Sequence, residues 1–304
     1  MLRVLASDGL EKSAVKTLQD IGCEVVQQFY EPDDLKEQVK EFDALVVRSA
    51  TKVREPIIDA SLATGRLKIV IRGGVGVDNI DVAYARDHGI EVCNTPNASS
   101  ASVAEMAIGH MFALARYIYA ANVSMRECKW EKKAYTGIEL AGKTLGLIGM
   151  GNIAKETAKR AAALGMRVIY TNRSGHKPEN DPYVRYELDE LLKQSDFVSL
   201  HTPAAKGCPP IIGAEQIAIM KPGAILVNTG RGSTVDTNAV LDALDNGHLR
   251  GYGADVYVEE PCKDTRLLSH PKVSMTPHLG ASTLEAQERV GDEIVAHIRR
   301  RFSI

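Results

Sequence analysis

Short apolar runs alternate with amphipathic stretches along almost the whole chain. The runs are continuously apolar, as in buried strands, whereas the stretches between them have apolar residues at the three- and four-residue steps of a helix. This alternation is typical of an α/β fold with parallel sheets. In the first third of the chain it predicts strands at residues 3–6, 24–27, 44–48, 68–71 and 91–93, with helices at 11–21, 33–40, 55–63 and 81–88.

A second series of apolar runs begins after residue 140. A chain of 304 residues is long for a single core, so two parallel-sheet domains are expected. The amphipathic tail at 284–301 is detached from the second series, and we expect it to form a helix that returns to the first domain. The second series predicts strands at residues 144–148, 167–171, 197–200, 224–228, 253–256 and 273–275.

A long apolar helix is predicted between the two series, over residues 102–128. His110 interrupts its apolar surface, and we expect it to be a hydrogen-bonded core or interface histidine. Because Tyr117 and Tyr119 extend that surface, we also predict a homodimer through this helix. Its apolar residues follow helical steps at Val103, Met106, Ala107, Met111, Leu114 and Ile118.

Composition excludes several classes of function. The formal net charge is −2 and no basic run is present, which argues against nucleic acid or an anionic membrane surface as a partner. No apolar stretch reaches the length of a membrane span, and residues 1–6 are too short for a signal-peptide core. The five cysteines are scattered without a Cys-x-x-Cys pair, so we expect no disulfide framework and no metal site. A cytoplasmic protein with a small-molecule partner is therefore expected.

The most informative motif is Gly-Met-Gly-Asn-Ile-Ala at residues 149–154, between a predicted strand and a predicted helix. This context is that of a dinucleotide-binding turn. Gly149 permits the tight turn, Gly151 lets a pyrophosphate approach the backbone, and the small Ala154 lets the helix pack on the strand. The helix N-terminus then attracts the phosphates. The alternative is a plain turn that uses glycine for geometry alone.

The segment that would meet the adenosine ribose has no carboxylate. NAD-binding folds usually place Asp or Glu there to bind the ribose diol. The chain instead has Asn172, Arg173 and Ser174 at the end of the next predicted strand. An arginine there would attract a 2′-phosphate, so the segment favours NADP or the use of both cofactors. The alternative is that Asn172 binds the diol of NAD while Arg173 is a solvated loop charge.

Three ionisable residues follow predicted strands of the second series: Arg231, Glu260 and His278. Ligands of open parallel sheets bind at the carboxyl ends of the strands. A keto-acid reductase needs a cation for the carboxylate, a proton donor for the nascent alkoxide and a partner for that donor. Each residue alone has an ordinary explanation, as a surface charge, a turn cap or a structural histidine. Together they predict an active site.

Ordered matches to a known family run along nearly the whole chain. The chain resembles the D-isomer-specific 2-hydroxyacid dehydrogenase family, and within it the phosphoglycerate dehydrogenases. The resemblance implies a Rossmann NAD(P)-binding domain at residues 99–283, inserted into a discontinuous flavodoxin-like substrate-binding domain at 1–98 plus 284–304. It rests on the segments that carry the three strand-end residues and the glycine turn, and on residues 47–53, 72–81, 94–96, 103–105, 201–203 and 220–223.

The resemblance implies that Arg231 binds the substrate carboxylate, that His278 transfers a proton and that Glu260 keeps this imidazole protonated. Keto-acid reduction is then expected to slow as the pH rises and His278 loses its proton. The motif, the ribose segment and the resemblance together predict cofactor contacts at Val75, Gly149, Gly151, Asn152, Ile153, Asn172, Arg173, Thr202, Thr229, Gly230, Asp255, Gly280 and Ala281. Substrate contacts are predicted at Arg48, Arg72, Gly74, Val75, Gly76 and Lys132.

The extra cations suggest which hydroxy acid is used. Arg48, Arg72 and Lys132 could bind a phosphate, for which arginine has a matching geometry. We therefore expect 3-phosphoglycerate and 3-phosphohydroxypyruvate, the first step of serine biosynthesis, rather than glycerate or glycolate. One alternative is a hydroxypyruvate or glyoxylate reductase that uses NADPH. Another is a non-enzymatic NAD(H)-sensing protein similar to the transcriptional corepressors that resemble this family.

The chain departs from the family pattern in two places. Residues 204–210 lack the usual leucine and threonine-rich turn, so the conformation of that loop is not predicted. No counterpart of the regulatory domain of longer relatives follows Ile304. We accordingly expect no feedback by serine through such a domain.

Overall fold

The computed structural model describes residues 1–180, 182–204 and 207–304. Ala205 and Lys206, in the loop that departs from the family pattern, lie outside the described residues. The chain divides into two compact units, Met1–Ser99 with Ala281–Ile304 and Ser100–Gly280. Each unit contains one sheet, and the strands that pair within these sheets are parallel. The predicted α/β fold class, with two parallel sheets and interleaved helices, is confirmed.

The first unit is built on a five-stranded sheet. Its strands are β1 (Leu2–Ala6), β2 (Cys23–Gln27), β3 (Ala44–Val47), β4 (Ile69–Arg72) and β5 (Glu91–Asn94). Their order is β2-β1-β3-β4-β5, the order of flavodoxin-like folds. The helices between them are α1 (Lys12–Asp20), α2 (Pro32–Gln38), α3 (Glu55–Leu62) and α4 (Val82–Asp87), with a 3₁₀ turn at Val39–Glu41.

The central strands of this sheet are apolar because both of their faces are covered. All four residues of β3 are buried. Leu45 and Val47 belong to the hydrophobic core on one face, whereas Val46 belongs to the core on the other face. This alternation follows from the two-residue period of a strand. The strands therefore hold fixed positions, and their carboxyl ends carry the predicted substrate residues.

The second unit is built on a seven-stranded sheet. Its strands are β6 (Thr144–Ile148), β7 (Arg167–Thr171), β8 (Val184–Arg185), β9 (Phe197–Leu200), β10 (Ala224–Asn228), β11 (Leu249–Ala254) and β12 (Val273–Met275). Their order is β12-β11-β10-β9-β6-β7-β8. The order reverses at β6, which lies between β7 and β9, as in Rossmann folds. This reversal creates a crevice at the carboxyl ends of the strands, where ligands of such sheets bind.

Helices cover both faces of the second sheet and also complete the first unit. In the second unit they are α5 (Ser100–Ala115), α6 (Ile118–Arg126), α7 (Asn152–Ala163), α8 (Leu188–Gln194), α9 (Ala214–Ala218), α10 (Thr237–Asp245) and α11 (Thr265–Ser269). Three 3₁₀ turns occur at Lys132–Tyr135, Pro178–Asn180 and Gly232–Thr234. The C-terminal helix α12 (Leu284–Phe302) packs on the first unit, where Gly291 lets it approach α1 closely at Ala14.

The single long helix predicted over residues 102–128 is wrong. The structure has two helices, α5 and α6, separated at Tyr117, whose φ is +54°. The physical reason is a tertiary hydrogen bond. The Ala115 carbonyl, which would continue the helix, accepts the Ile138 N–H at 2.9 Å. Because the apolar spacing continues across the break, the sequence pattern could not reveal it.

The strand predicted at residues 253–256 is also displaced. The observed strand β11 begins at Leu249 and ends at Ala254, so that Asp255 lies just beyond it. The short edge strand β8 had not been predicted. Exposed apolar residues do occur on α6, including Ile118 and Tyr119, while the homodimer through this region stays a prediction. Among the described helices, none combines the length and the apolar character that a membrane span requires.

Candidate active site

The glycine motif forms the turn from β6 to α7. Gly149 has a φ of +97°, and a Cβ there would lie 2.8 Å from the His201 carbonyl oxygen, so glycine is required. Ala154 is fully buried against the strand. Apart from the residues next to it in the chain, no described atom lies within 4 Å of the position that a Cβ would take on Gly151. The backbone at the start of α7 is therefore accessible to a phosphate, as the motif predicts.

Two buried polar atoms near this turn have no hydrogen-bond partner among the described residues. One is Oγ1 of Thr202, just beyond β9, and the other is Oδ1 of Asn172, just beyond β7. Burying such atoms without a partner costs free energy unless a ligand supplies the missing hydrogen bond. Their positions at the carboxyl ends of strands, together with the open Gly151 backbone, fit a dinucleotide. Arg173 is exposed next to Asn172.

His201 connects the glycine turn to the segment after β10. Its Nε2 lies 3.0 Å from Ser199 Oγ, and its Nδ1 lies 3.5 Å from Thr229 Oγ1. Burial lowers the pKa of His201 to about 4, so the ring is neutral near pH 7. Its role was missed by the sequence reasoning, which used His201 only as part of a family motif. The signal that could have found it is a polar residue that directly follows a buried strand.

The segment after β10 presents Arg231 through a tight turn. The Asn228 side chain shapes this turn: its Oδ1 accepts the Gly230 N–H at 3.0 Å, and its Nδ2 donates to the Arg231 carbonyl at 2.8 Å. Gly232 then packs against the backbone of Tyr257, and any Cβ at Gly232 would overlap that backbone. The absence of a side chain at residue 232 therefore brings the Arg231 segment onto the loop that carries Glu260.

His278 and Glu260 form a hydrogen-bonded pair. Nδ1 of His278 lies 2.7 Å from one carboxylate oxygen of Glu260, and the other oxygen accepts the Tyr257 N–H at 3.1 Å. Burial opposes the ionisation of Glu260, but the hydrogen bond and charge of His278, the Tyr257 N–H and the charge of Arg231 outweigh it. The pKa of Glu260 is thus lowered below its usual range. Since Nδ1 is occupied, Nε2 is the ring atom available to a substrate.

Asp255 holds the turn on which His278 lies. Its carboxylate is 1% exposed and accepts three hydrogen bonds. These come from the Thr276 hydroxyl at 2.5 Å, the Leu279 N–H at 2.7 Å and the Gly280 N–H at 2.8 Å. The predicted cofactor contacts of Asp255 and Gly280 stay predictions.

In the first unit, Arg48 follows β3 and is the strongest candidate for binding an anion. Its backbone is fixed, because its N–H donates to Asp8 at 2.6 Å and its carbonyl accepts from Asn79 at 2.7 Å. Burial lowers the pKa of Arg48, and the charge of Asp8 partly opposes this effect. Its guanidinium donates no hydrogen bond to another described residue. A desolvated guanidinium in this state favours an anionic ligand.

The predicted substrate loop at residues 73–76 is held by its neighbours. The Val75 carbonyl accepts from Asn94 Nδ2 at 2.6 Å, and the Gly74 carbonyl accepts the Thr95 N–H at 3.0 Å. Gly74 has a φ of +153°, and a Cβ there would overlap the Arg72 guanidinium. Arg72 is therefore packed against its own loop.

Three other predicted residues take no part in the hydrogen bonds described above. Lys132 is exposed on a 3₁₀ turn, and the side chain of Ile153 is partly buried on the first turn of α7. The Ala281 carbonyl accepts from Gln287 at 2.8 Å at the start of the C-terminal segment of the first unit. None of these contacts tests the predicted roles.

A family model for the D-isomer specific 2-hydroxyacid dehydrogenase NAD binding domain matches residues 108–280. The chain belongs to the D-isomer specific 2-hydroxyacid dehydrogenase family. The matched segment contains the glycine turn, Arg231, Glu260 and His278. Membership makes the chain an NAD(P)-dependent oxidoreductase of D-2-hydroxy acids. The family resemblance seen in the sequence is thereby confirmed.

Relatives within this family differ in substrate. The chain is 50% identical to a hydroxypyruvate reductase of Thermotoga maritima, with 99% of each chain covered. It is 43% identical to a D-3-phosphoglycerate dehydrogenase of Methanocaldococcus jannaschii, over 99% of this chain but 57% of the longer relative. A solved NADPH-dependent glyoxylate/hydroxypyruvate reductase of Sinorhizobium meliloti superposes with a TM-score of 0.86 at 28% identity, covering 100% of this chain and 95% of that one.

Proposed function

We propose that this dehydrogenase reduces hydroxypyruvate or a closely similar short 2-keto acid to the D-2-hydroxy acid, with NADPH as the favoured cofactor. The observation that carries the proposed chemistry is the 2.7 Å contact between His278 Nδ1 and Glu260, on a loop packed against the Arg231 segment. This arrangement supplies a proton donor, a carboxylate that pairs with the donor, and a cation for the substrate carboxylate.

Hydroxypyruvate is favoured over the phosphorylated substrate for two reasons. The hydroxypyruvate reductase is the more similar of the two relatives and matches over its full length. The structure also weakens the argument from extra cations, because Arg72 is packed against Gly74 in its own loop and Lys132 is exposed. Of the three cations considered for binding a phosphate, Arg48 is the best supported.

The second candidate is 3-phosphohydroxypyruvate, with 3-phosphoglycerate as the reduced partner. The partly buried guanidinium of Arg48 favours it, since the cost of desolvating that charge is offset best by a doubly charged phosphate. The relative that acts as a D-3-phosphoglycerate dehydrogenase supports the same candidate. A role in serine biosynthesis would follow only from this substrate.

NADPH is favoured by the chemistry at the end of β7. Asn172 carries no charge there, and its buried Oδ1 has no partner among the described residues, so it can accept from a ribose hydroxyl. Arg173, exposed next to it, can pair with a 2′-phosphate. The NADPH-dependent structural relative supports this choice. NADH stays possible for the same site, because nothing at Asn172 repels a free diol.

The proposed mechanism assigns one task to each residue. Arg231 binds the substrate carboxylate and polarises the keto oxygen. When bound, the nicotinamide cofactor supplies the hydride to the keto carbon. His278 delivers its Nε2 proton to the keto oxygen as negative charge develops there, and a positioned acid of this kind contributes roughly 10²–10⁴-fold in rate. Glu260 pairs with Nδ1 of His278, which leaves Nε2 for the substrate.

A substrate panel tests the proposal. Hydroxypyruvate, glyoxylate and 3-phosphohydroxypyruvate are reduced in parallel with NADH and with NADPH, and kcat/KM is compared. We expect the largest value for hydroxypyruvate with NADPH. A larger value for 3-phosphohydroxypyruvate would select the second candidate, and no turnover of any 2-keto acid would reject the proposed function.

The cofactor assignment has its own test. Asn172→Asp places a carboxylate where the 2′-phosphate is expected to lie, and like charges in contact cost several kcal/mol. We expect kcat/KM with NADPH to fall at least about tenfold, while the value with NADH is kept or improved. Equal losses with both cofactors would argue against a 2′-phosphate near this residue.

A further inference from the structure

A buried histidine lies behind the turn that carries His278. His110, on α5, is 3% exposed and contacts residues of β12 and of the segment after it. Its Nδ1 lies 2.9 Å from Ser274 Oγ, and its Nε2 lies 3.1 Å from Thr276 Oγ1. Gly253 makes room for it, because a Cβ there would lie 2.8 Å from the His110 Cβ. The site is thus shaped for this side chain.

The hydrogen bonds continue from Thr276 to the catalytic turn. The Thr276 hydroxyl donates to Asp255 at 2.5 Å. Asp255 in turn accepts the N–H groups of Leu279 and Gly280 at 2.7 and 2.8 Å. These two residues directly follow His278. A continuous chain of hydrogen bonds therefore connects the buried histidine to the backbone that orients the proton donor.

The direction of each hydrogen bond identifies the tautomer of His110. A hydroxyl has one proton, and Thr276 donates it to the Asp255 carboxylate. Its other possible acceptor, Met106 Sδ at 3.8 Å, is a weak one. Thr276 Oγ1 must then accept from His110, so Nε2 carries the hydrogen. Nδ1 is left to accept the hydroxyl proton of Ser274.

The ring is also expected to be neutral. Burial lowers the pKa of His110, an effect that the charge of Asp255 only partly opposes. A neutral imidazole has one donor and one acceptor nitrogen. The Nε2–H tautomer satisfies both neighbours at once, whereas the other tautomer would place an unpaired acceptor against Thr276.

We propose that His110, as its Nε2–H tautomer, is a positioning residue that acts through Thr276 and Asp255 to hold His278 in the orientation required for proton transfer. His278 has a φ of +55°, a conformation that residues other than glycine adopt rarely and only where the surroundings impose it. The hydrogen bonds that Asp255 accepts from the N–H groups of Leu279 and Gly280 provide that support. The tautomer assignment stands on contacts alone, and the kinetic consequence rests on the proposed function.

A matched pair of substitutions tests the kinetic consequence. His110→Gln keeps a donor close to the position of Nε2, whereas His110→Leu keeps similar volume without a donor. Because one hydrogen bond is lost, we expect kcat for His110→Leu to fall about tenfold. KM and the Kd of NADPH, measured by fluorescence, should stay unchanged, and His110→Gln should keep kcat within about twofold of the parent. If the two variants have equal kcat values, the positioning role is wrong.

A double-mutant cycle locates the path of the effect. Thr276→Val removes the hydroxyl through which His110 is proposed to act. We expect His110→Leu to lower kcat in the parent but not in the Thr276→Val background, because the two side chains belong to one chain of hydrogen bonds. Independent, additive losses would contradict the proposed path.

A spectroscopic readout avoids activity altogether. Nitrogen-15 NMR of the full chain without cofactor, with the signals assigned by loss in His110→Gln, reports which ring nitrogen is protonated. We expect hydrogen on Nε2 near pH 7, and hydrogen on Nδ1 alone would overturn the proposal even if the Leu variant does not fold. Failure of the parent to reduce any 2-keto acid would instead reject the proposed function and leave the NMR result valid.

Discussion

The carboxyl edges of the two sheets are built differently. Beyond β10, β11 and β12 of the second sheet, polar side chains are tied to one another: Asn228 shapes the Arg231 turn, and Glu260 pairs with His278. Beyond β3 of the first sheet, the backbone of Arg48 is fixed, but its partly buried guanidinium donates to no other described residue.

This difference fits the division of tasks in the proposed mechanism. Proton transfer needs groups at fixed distances before the substrate arrives, and internal hydrogen bonds provide them. Recognition of an anion instead needs a cation whose partner is the ligand, and desolvation strengthens the attraction. We therefore expect substitutions at the second edge to change kcat and substitutions at the first edge to change KM.

The largest effect is expected for His278→Gln. The variant keeps the size of the side chain but has no group that can donate a proton readily, so kcat for keto-acid reduction should fall roughly 10²–10⁴-fold. KM should change little. His88→Gln, at an exposed histidine of the first unit, is the matched control. Steady-state kinetics of both variants measure this effect. A kcat of His278→Gln equal to that of the parent would contradict the role of His278 as proton donor.

The second prediction concerns stability at the second edge. The pKa of His201 is about 4 in the folded chain and about 6.5 when unfolded. Between these values the unfolded state binds more protons, so the free energy of unfolding should fall as the pH drops from about 6.5 to about 4, by up to about 3 kcal/mol.

Urea denaturation of the parent and of His201→Gln at pH 7 and pH 4.5 measures this contribution. Other titrating groups are common to both proteins, so the difference between them isolates His201. The parent should lose more stability than the variant on acidification. Identical losses would show that His201 is accessible to protons in the folded chain.

The third prediction separates the two substrates at the first edge. Arg48→Gln removes a charged hydrogen-bond donor, so KM for the bound anion should rise about 10- to 100-fold with kcat nearly constant. A rise for 3-phosphohydroxypyruvate alone would place Arg48 at the phosphate, and a rise for hydroxypyruvate as well would place it at the shared part of the molecule. Arg54→Gln, an exposed arginine paired with Asp81, is the control. An unchanged KM for both substrates would contradict a role in binding.

The smallest effect is expected for Glu260→Gln. The amide keeps the shape of the side chain and can still form a hydrogen bond with His278, but the negative charge beside the ring is lost. We expect kcat near pH 7 to fall about tenfold. Rate profiles of the parent and the variant test this, and superimposable profiles would show that Glu260 does not act through its charge.

The sequence predicted what depends on local pattern. Five strands of the second series, including 144–148 and 224–228, were predicted with the bounds that the structure shows, because buried parallel strands are continuous apolar runs. The turn at Gly149 was also predicted from local pattern, because its glycine follows a strand and precedes a helix. The pairing of Glu260 with His278 was predicted from their strand-end positions and from family resemblance. The spacing of 18 residues between them would not have indicated it.

Tertiary structure alone decided what depends on contacts between distant residues. The helix break at Tyr117 arises because the Ile138 N–H donates to the Ala115 carbonyl. The role of His110 depends on residues 164 and 166 positions away. The sequence by itself determined the elements and the kinds of side chain at their ends. Folding decided which of those groups have partners, because a hydrogen bond forms between atoms that are close in space whatever their separation along the chain.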